Sequence, residues 1–323
     1  MEQSEEAGTS HIENKGPVQG QNIGDHNTNT HNYIGTQYIL HPRADGSVPS
    51  PAPQRVWNLP YPRNPFFTGR TELLTQLAAT LHANQPTALS QPQAISGLGG
   101  IGKTQIACEY AYQHEQDYQA VLWAQADTRE NLTASFLALA NLLDLSAKEA
   151  SESAQVVEAM KHWLQTTPGY LLILDNADNL ALVREFLPTK TSGHVLLTTR
   201  AQVVGRFARQ LEVEVLPLEQ GMLLLLRRGK VLLPDGPIEQ AKEADRVVAK
   251  SLCEELGGLP LALDQAGAYI EETACGLAKY EQRYQRQRGK ASSGNESSSF
   301  ESTREQTSSK KLFQLLPLFP CDP

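Results

Sequence analysis

The sequence predicts an α/β fold, a doubly wound parallel sheet with a small all-helical second domain, and three observations predict it. A glycine-rich run, Gly97-Leu98-Gly99-Gly100-Ile101-Gly102-Lys103-Thr104, stands between a short strand-like stretch at 93–96 and a helix-like stretch at 105–111. Apolar runs at 120–126, 170–175 and 194–200 alternate with segments of helical period, the pattern of strands buried between two layers of helices. From about Leu218 the strand-like runs stop and helical period alone remains.

Taken in order, residues 1–60 are expected to lie mostly outside the fold. The first 46 or so hold few large apolar side chains among many Gly, Asn, Gln, Thr and His, too little burial to offset the entropy of ordering. Ser47-Val48-Pro49-Ser50-Pro51-Ala52-Pro53 then reads as an extended spacer. Within this extension, residues 18–39 mix Asn and Gln with Val18, Ile23, Tyr33, Ile34 and Ile39. Such a composition stacks in register when copies meet, so a homotypic partner through 18–39 is one expectation and a solvated connector the other. His26 and His31, in a flexible run, are expected to bind nothing.

The α/β domain is expected over 61–215. Leu73, Leu74, Leu77 and Leu81 mark its first helix, with its N-cap region near Thr71, and a strand at 93–96 leads into the glycine-rich run. A buried strand at 120–126 precedes a helix at 129–143, whose Leu132, Phe136, Leu139 and Leu143 fall on one face, and a second helix near 154–165 ends at the turn Thr166-Thr167-Pro168-Gly169. Strands follow at 170–175, 194–200 and 211–216, the last with alternating character. A helical domain is expected over 216–287, with helices at 220–228, 238–256 and 261–273, and a disordered Ser-rich tail over 288–323.

Composition narrows the partners. The chain has 323 residues, 40% hydrophobic, with a mean hydropathy of -0.38 and a net charge of -8. That balance gives no general attraction to nucleic acid or to an anionic membrane surface, and no apolar run is long enough to span a bilayer. The four cysteines, Cys108, Cys253, Cys275 and Cys321, have neither metal-binding spacing nor a disulfide framework, and the acidic start is not a signal peptide, so a reducing cytoplasm is expected.

The glycine-rich run carries the chemistry. It matches G-x-x-x-x-G-K-[ST], in which Gly97, Gly99, Gly100 and Gly102 let the backbone wrap phosphate oxygens where a Cβ would collide. Lys103 is expected on the β/γ-phosphates, and Thr104 on Mg²⁺ at the start of a helix whose dipole favours anions. Asp175 ends an apolar strand about seventy residues later, where a P-loop NTPase places the carboxylate that helps hold Mg²⁺. Asp178 is read either as the group that polarises the attacking water or as a turn-forming residue in Asp175-Asn176-Ala177-Asp178-Asn179. Arg200, after two threonines at a strand end, is read either as a guanidinium near the γ-phosphate or as a surface arginine.

The chain resembles the NB-ARC nucleotide-binding domain of STAND signal-transduction ATPases over roughly residues 62–285. The residues that carry the likeness are Phe66-Phe67-Thr68-Gly69-Arg70, the phosphate loop, the Asp175 strand, Thr198-Thr199-Arg200, Leu216-Pro217-Leu218 and Gly258-Leu259-Pro260-Leu261-Ala262. The resemblance implies that Arg70 lies against base or ribose and that Pro260 packs on adenine, with ATP or ADP and Mg²⁺ as ligands. It further implies a signalling switch, in processes such as defence, that opens and self-associates on activation, with slow ATP hydrolysis serving the switch. The winged-helix and repeat segments that fuller members carry after the helical domain are not visible, as though the chain were truncated there. Competing expectations are an assembly seed acting through 18–39 with vestigial nucleotide binding, and a constitutive ATPase.

Overall fold

The structure, a computed structural model, describes residues 55–82, 91–145 and 153–293. The expectations for 18–39, the Pro-rich spacer and the Ser-rich segment from 294 onward lie outside the described residues. Among the described residues, six strands form one parallel sheet: β1 (Val56–Asn58), β2 (Gln93–Ser96), β3 (Ala120–Gln125), β4 (Tyr170–Asp175), β5 (His194–Thr199) and β6 (Arg209–Glu212), ordered β1-β3-β4-β5-β2-β6. All six residues of β4 are buried. Leu171 and Ile173 join the core on one face, while Tyr170, Leu172 and Leu174 join the core on the other. This explains the uninterrupted apolar runs, because a central parallel strand has no wet side.

Helices cover both faces. On one side α1 (Thr71–His82) buries Leu74, Leu77 and Leu81, and α2 (Lys103–Gln113) buries Ile106, Ala107 and Tyr110. On the other, α3 (Arg129–Leu142) buries Leu132, Phe136 and Leu139, α4 (Ser153–Thr166) buries Val156, Met160 and Leu164, and α5 (Leu180–Phe186) buries Leu182, Val183 and Phe186. Thr128 caps α3 by accepting from the Asn131 N–H, and Asn179 caps α5 by accepting from the Leu182 N–H, each at 3.1 Å. The Asx role weighed for Asp178 therefore belongs to its neighbour Asn179.

The described residues belong to one compact unit, in which four further helices adjoin the first face: α6 (Leu218–Arg228), α7 (Glu243–Glu255), α8 (Pro260–Thr273) and α9 (Leu277–Ser293). Strand β1, within the stretch expected outside the fold, and helix α5, between two expected strands, were not anticipated, and three further elements differ from expectation. The helix expected at 238–256 is a short 3-10 turn at Ile238–Gln240 followed by α7, because Ala241 and Lys242 are extended (ψ 143° and 148°). That break puts Glu243 and Asp245 in the first turn, where the helix dipole favours acids. Helix α9 was not expected; Leu277, Tyr280 and Tyr284 bury one face of an otherwise polar segment, and its backbone continues past residue 287. The strand expected at 211–216 instead pairs over 209–212 at the sheet edge, and Val213 and Leu216 leave the ladder to enter the core.

Candidate functional site

The phosphate-loop sequence turns sharply at the C-terminal end of β2. Gly97 has φ +147°, and a Cβ there would lie 2.7 Å from the Val213 carbonyl oxygen, so glycine is required by the neighbouring chain as well as by the turn. Gly102 at φ 93° opens α2 with no side-chain cap, leaving the first N–H groups of the helix facing the loop. Lys103 is 9% exposed, and its Nζ donates to the carbonyls of Gly97 (3.0 Å) and Leu98 (2.9 Å). Burial pulls its ammonium below the usual lysine range; Asp178 and Asp175 oppose this and Arg200 adds to it.

Strand order places β5 between β2 and β4, and this brings the Thr-Thr-Arg end of β5 between the loop and the carboxylate. Asp175 is 2% exposed; its Oδ1 accepts from Thr104 Oγ1 at 2.9 Å and from Thr198 Oγ1 at 2.5 Å. Thr198 in turn accepts from the Asn176 N–H at 3.0 Å. No role of its own was expected for Thr198, although it lies in a motif already singled out. Asp178 accepts from Thr199 Oγ1 (3.2 Å), the Arg200 N–H (2.6 Å) and Arg200 Nε (2.6 Å), and pairs with Arg200 Nη2 at 2.5 Å. Burial pushes its carboxyl up, but the bonds and charge of Arg200 outweigh this and hold it below the usual carboxylate range. A carboxylate so engaged is a weak proton acceptor, and here it anchors Arg200.

The opposite wall comes from the helical layer. Pro260 stands at the first position of α8, where its missing N–H costs nothing. The next N–H, that of Leu261, has no partner within the helix and donates to the Gly100 carbonyl at 3.1 Å. Leu216 N–H donates to the Gly258 carbonyl at 3.0 Å, and Gly258 sits at φ 63° with room for no Cβ beside the Leu216 carbonyl. The Leu-Pro-Leu and Gly-Leu-Pro-Leu segments are thus joined through their backbones. The Arg70 carbonyl, in a residue at φ 67°, accepts the Leu74 N–H at the start of α1, and Arg70 Nη2 donates to the Glu214 carbonyl at 2.6 Å.

These elements enclose a cleft of about 1110 Å³. Arg70, Gly99, Gly100, Gly102, Lys103 and Thr104 line it, and Asp178, Arg200 and Pro260 complete the expected set. Gly97 and Asp175 lie behind the lining, acting through Lys103 and Thr104. Asn64, Asp127, Asn176 and Asp264 also line the cleft and were not anticipated. Asp127 and Asn176 had a legible signal, since each follows the C-terminal end of a parallel strand, where such sheets gather their ligands. The residues fit a nucleoside triphosphate: a volume ample for a small-molecule ligand, an N–H-rich helix start, a desolvated lysine, and apolar Phe66, Leu216, Leu224 and Leu261 elsewhere in the lining.

The NB-ARC domain family matches residues 70–230, which span the loop, Asp175, Arg200 and the first helix of the helical layer. Residues 70–230 belong to the NB-ARC family. A nucleotide-binding leucine-rich repeat (NLR)-like protein of Hyaloscypha variabilis is 29% identical over 255 residues, covering 72% of this chain and 25% of that protein. A regulatory protein AfsR of Streptomyces griseus is 28% identical over 219 residues, covering 64% of this chain and 21% of that protein. The chain therefore spans between a fifth and a quarter of the length of the curated relatives it matches. Among solved structures, a signal transduction ATPase with numerous domains (STAND) from Pyrococcus horikoshii, with a tetratricopeptide repeat sensor, is 16% identical with a TM-score of 0.44 over 83% of this chain and 34% of that one. Over residues 70–230 the chain thus carries an NB-ARC nucleotide-binding module, seated on the parallel sheet described above. No helix among the described residues is long and apolar enough to cross a membrane.

Proposed function

We propose that the chain is an adenine-nucleotide switch, in which the identity of the bound nucleotide sets how α6–α9 sit against the phosphate loop. One observation carries this reading: the Leu261 N–H to Gly100 carbonyl bond ties the first turn of α8 directly to the loop that would grip phosphate. A ligand that re-orients the Gly100 peptide alters that bond, and only a differential contact of this kind lets a ligand shift a two-state equilibrium.

In this reading Lys103 and the α2 N-terminus hold the phosphates, and Thr104 with Asp175 holds Mg²⁺, which would supply charge neutralisation between phosphate oxygens. Thr198 fixes the orientation of Asp175. Arg200, held by Asp178, reports on the γ-phosphate, and Pro260 and Arg70 border the base and ribose. Asp178 has its lone pairs engaged by Arg200 and Thr199, which favours slow hydrolysis that resets a switch over rapid turnover. Opening is expected to expose surface for self-association, in a signalling setting such as defence.

Light scattering of the full chain with MgADP and with the slowly hydrolysed MgATPγS tests the switch. A larger particle with MgATPγS alone is expected in wild type, and its loss in Arg200→Ala. The same size in both nucleotides would contradict the reading.

A further inference from the structure

Away from the cleft, the C-terminal ends of α1 and α2 converge on a cluster for which the proposed switch has no use. His82 ends α1, His114 follows α2, and Asp117 lies in the 3-10 turn just beyond. One ligand atom from each residue lies within 4.8 Å of the other two. His114 Nδ1 is 2.7 Å and His82 Nε2 3.7 Å from Asp117 Oδ2. We propose that His82, His114 and Asp117 form a binding site for a divalent transition ion of the zinc type.

The chemistry of the donors selects the ion. Two imidazole nitrogens and one carboxylate oxygen suit Zn²⁺, Co²⁺ and Ni²⁺, and suit Mg²⁺ or Ca²⁺ poorly, since those take oxygen ligands. Ligands at about 2.0–2.2 Å from a tetrahedral ion stand roughly 3.3–3.5 Å from one another, so the observed separations need shifts of well under an ångström on the Asp117 side. The rings are also held. His114 stacks on buried Tyr110 with centroids 4.5 Å apart, and His82 is flanked by Tyr118 at 6.5 Å and by the edge of His194 at 5.4 Å. His194 Nδ1 is engaged by the Tyr118 hydroxyl at 2.8 Å, which fixes the wall of the site rather than adding a ligand. Three protein ligands leave a coordination position for water.

The consequence is structural. An ion here clips the far ends of the two helices whose N-terminal ends border the nucleotide cleft, and it is expected to stabilise the folded chain without touching nucleotide. The inference does not depend on the proposed switch.

Co²⁺ titration of the full chain, read by its visible absorption and by calorimetry, tests it against His114→Ala and against Asp117→Asn, which preserves side-chain volume. Histidines elsewhere add the same background to each protein and cancel in the difference. Wild type is expected to bind one more equivalent than His114→Ala, with Asp117→Asn at least 10-fold weaker. Zn²⁺ is expected to raise the thermal midpoint of wild type by several degrees more than that of either variant. Folding of the variants is checked by retained nucleotide affinity and by melting without metal. Equal Co²⁺ stoichiometry and affinity in folded wild type and variants would mean that the cluster is a surface hydrogen-bonded group only, and would overturn the proposal.

Discussion

Replacing Gly97 by alanine separates what the phosphate loop needs to fold from what it needs to bind. At φ +147° any side chain is strained, at a cost of about 1–3 kcal/mol. The new Cβ would lie 2.7 Å from the Val213 carbonyl, a backbone atom that cannot swing aside. Relief requires moving the chain just after β6, where the Val213 N–H donates to the Ser96 carbonyl at 2.8 Å, and overpacking of this kind costs about 1–3 kcal/mol more. Together these predict a loss of roughly 2–6 kcal/mol, or roughly 4–24 °C in thermal midpoint for a domain of this size. Gly99 is the control: it has no left-handed φ, and a methyl group there would meet nothing within 4 Å, so Gly99→Ala is expected to change stability by no more than about 0.5 kcal/mol. Because Gly99 lines the cleft, weaker nucleotide binding is the expected defect instead. Urea and thermal unfolding of the three proteins decide the matter. A Gly97→Ala midpoint equal to wild type, or an equal loss in both variants, would refute the reasoning.

Other outcomes follow from the same geometry. Asp178→Asn is expected to leave the thermal midpoint within about 2 °C, because Arg200 is 72% exposed and exposed ion pairs contribute little. The same change should abolish the size difference between MgADP and MgATPγS, and unchanged discrimination in light scattering would count against Asp178 as the anchor of Arg200. Burial, aided by Asp175 and Glu109, pushes the Cys108 thiol from its ordinary 9.0 up to about 12, and burial pushes Cys253 up to about 11. The unfolded chain then loses these protons first as pH rises through about 9, so stability is expected to fall above that pH. At pH 8 both thiols should resist a disulfide reagent under native conditions, and peptide mapping that finds either as reactive as partly exposed Cys275 would contradict this.

The sheet was legible because its central strands are buried on both faces and exclude polar residues until their ends. Asp175 stood out for that reason. The phosphate loop was legible from its glycines, although sequence alone does not separate Gly97, which the fold demands, from Gly99, which it does not. The edge elements were less visible: β1 is a half-buried run of three residues whose pairing with β3 depends on a partner about sixty positions away. Helix α9 was hidden by its polar composition, since only Leu277, Tyr280 and Tyr284 record its buried face. Within the site, the pairing of Asp178 with Arg200 and of Thr198 with Asp175 depends on β5 lying between β2 and β4, and strand order is not written in local periodicity. The His82, His114 and Asp117 cluster was invisible for the same reason, being assembled by the packing of two helix ends.

The most direct test of the central claim is the nucleotide content of the purified full chain, released by acid and separated by chromatography, in wild type and Lys103→Ala. Adenine nucleotide is expected to approach one equivalent in wild type and to fall at least 10-fold in the variant, whose cleft lacks the buried cation beside the loop. Equal content in the two proteins, or a nucleotide without adenine in wild type, would contradict a switch built on this cleft.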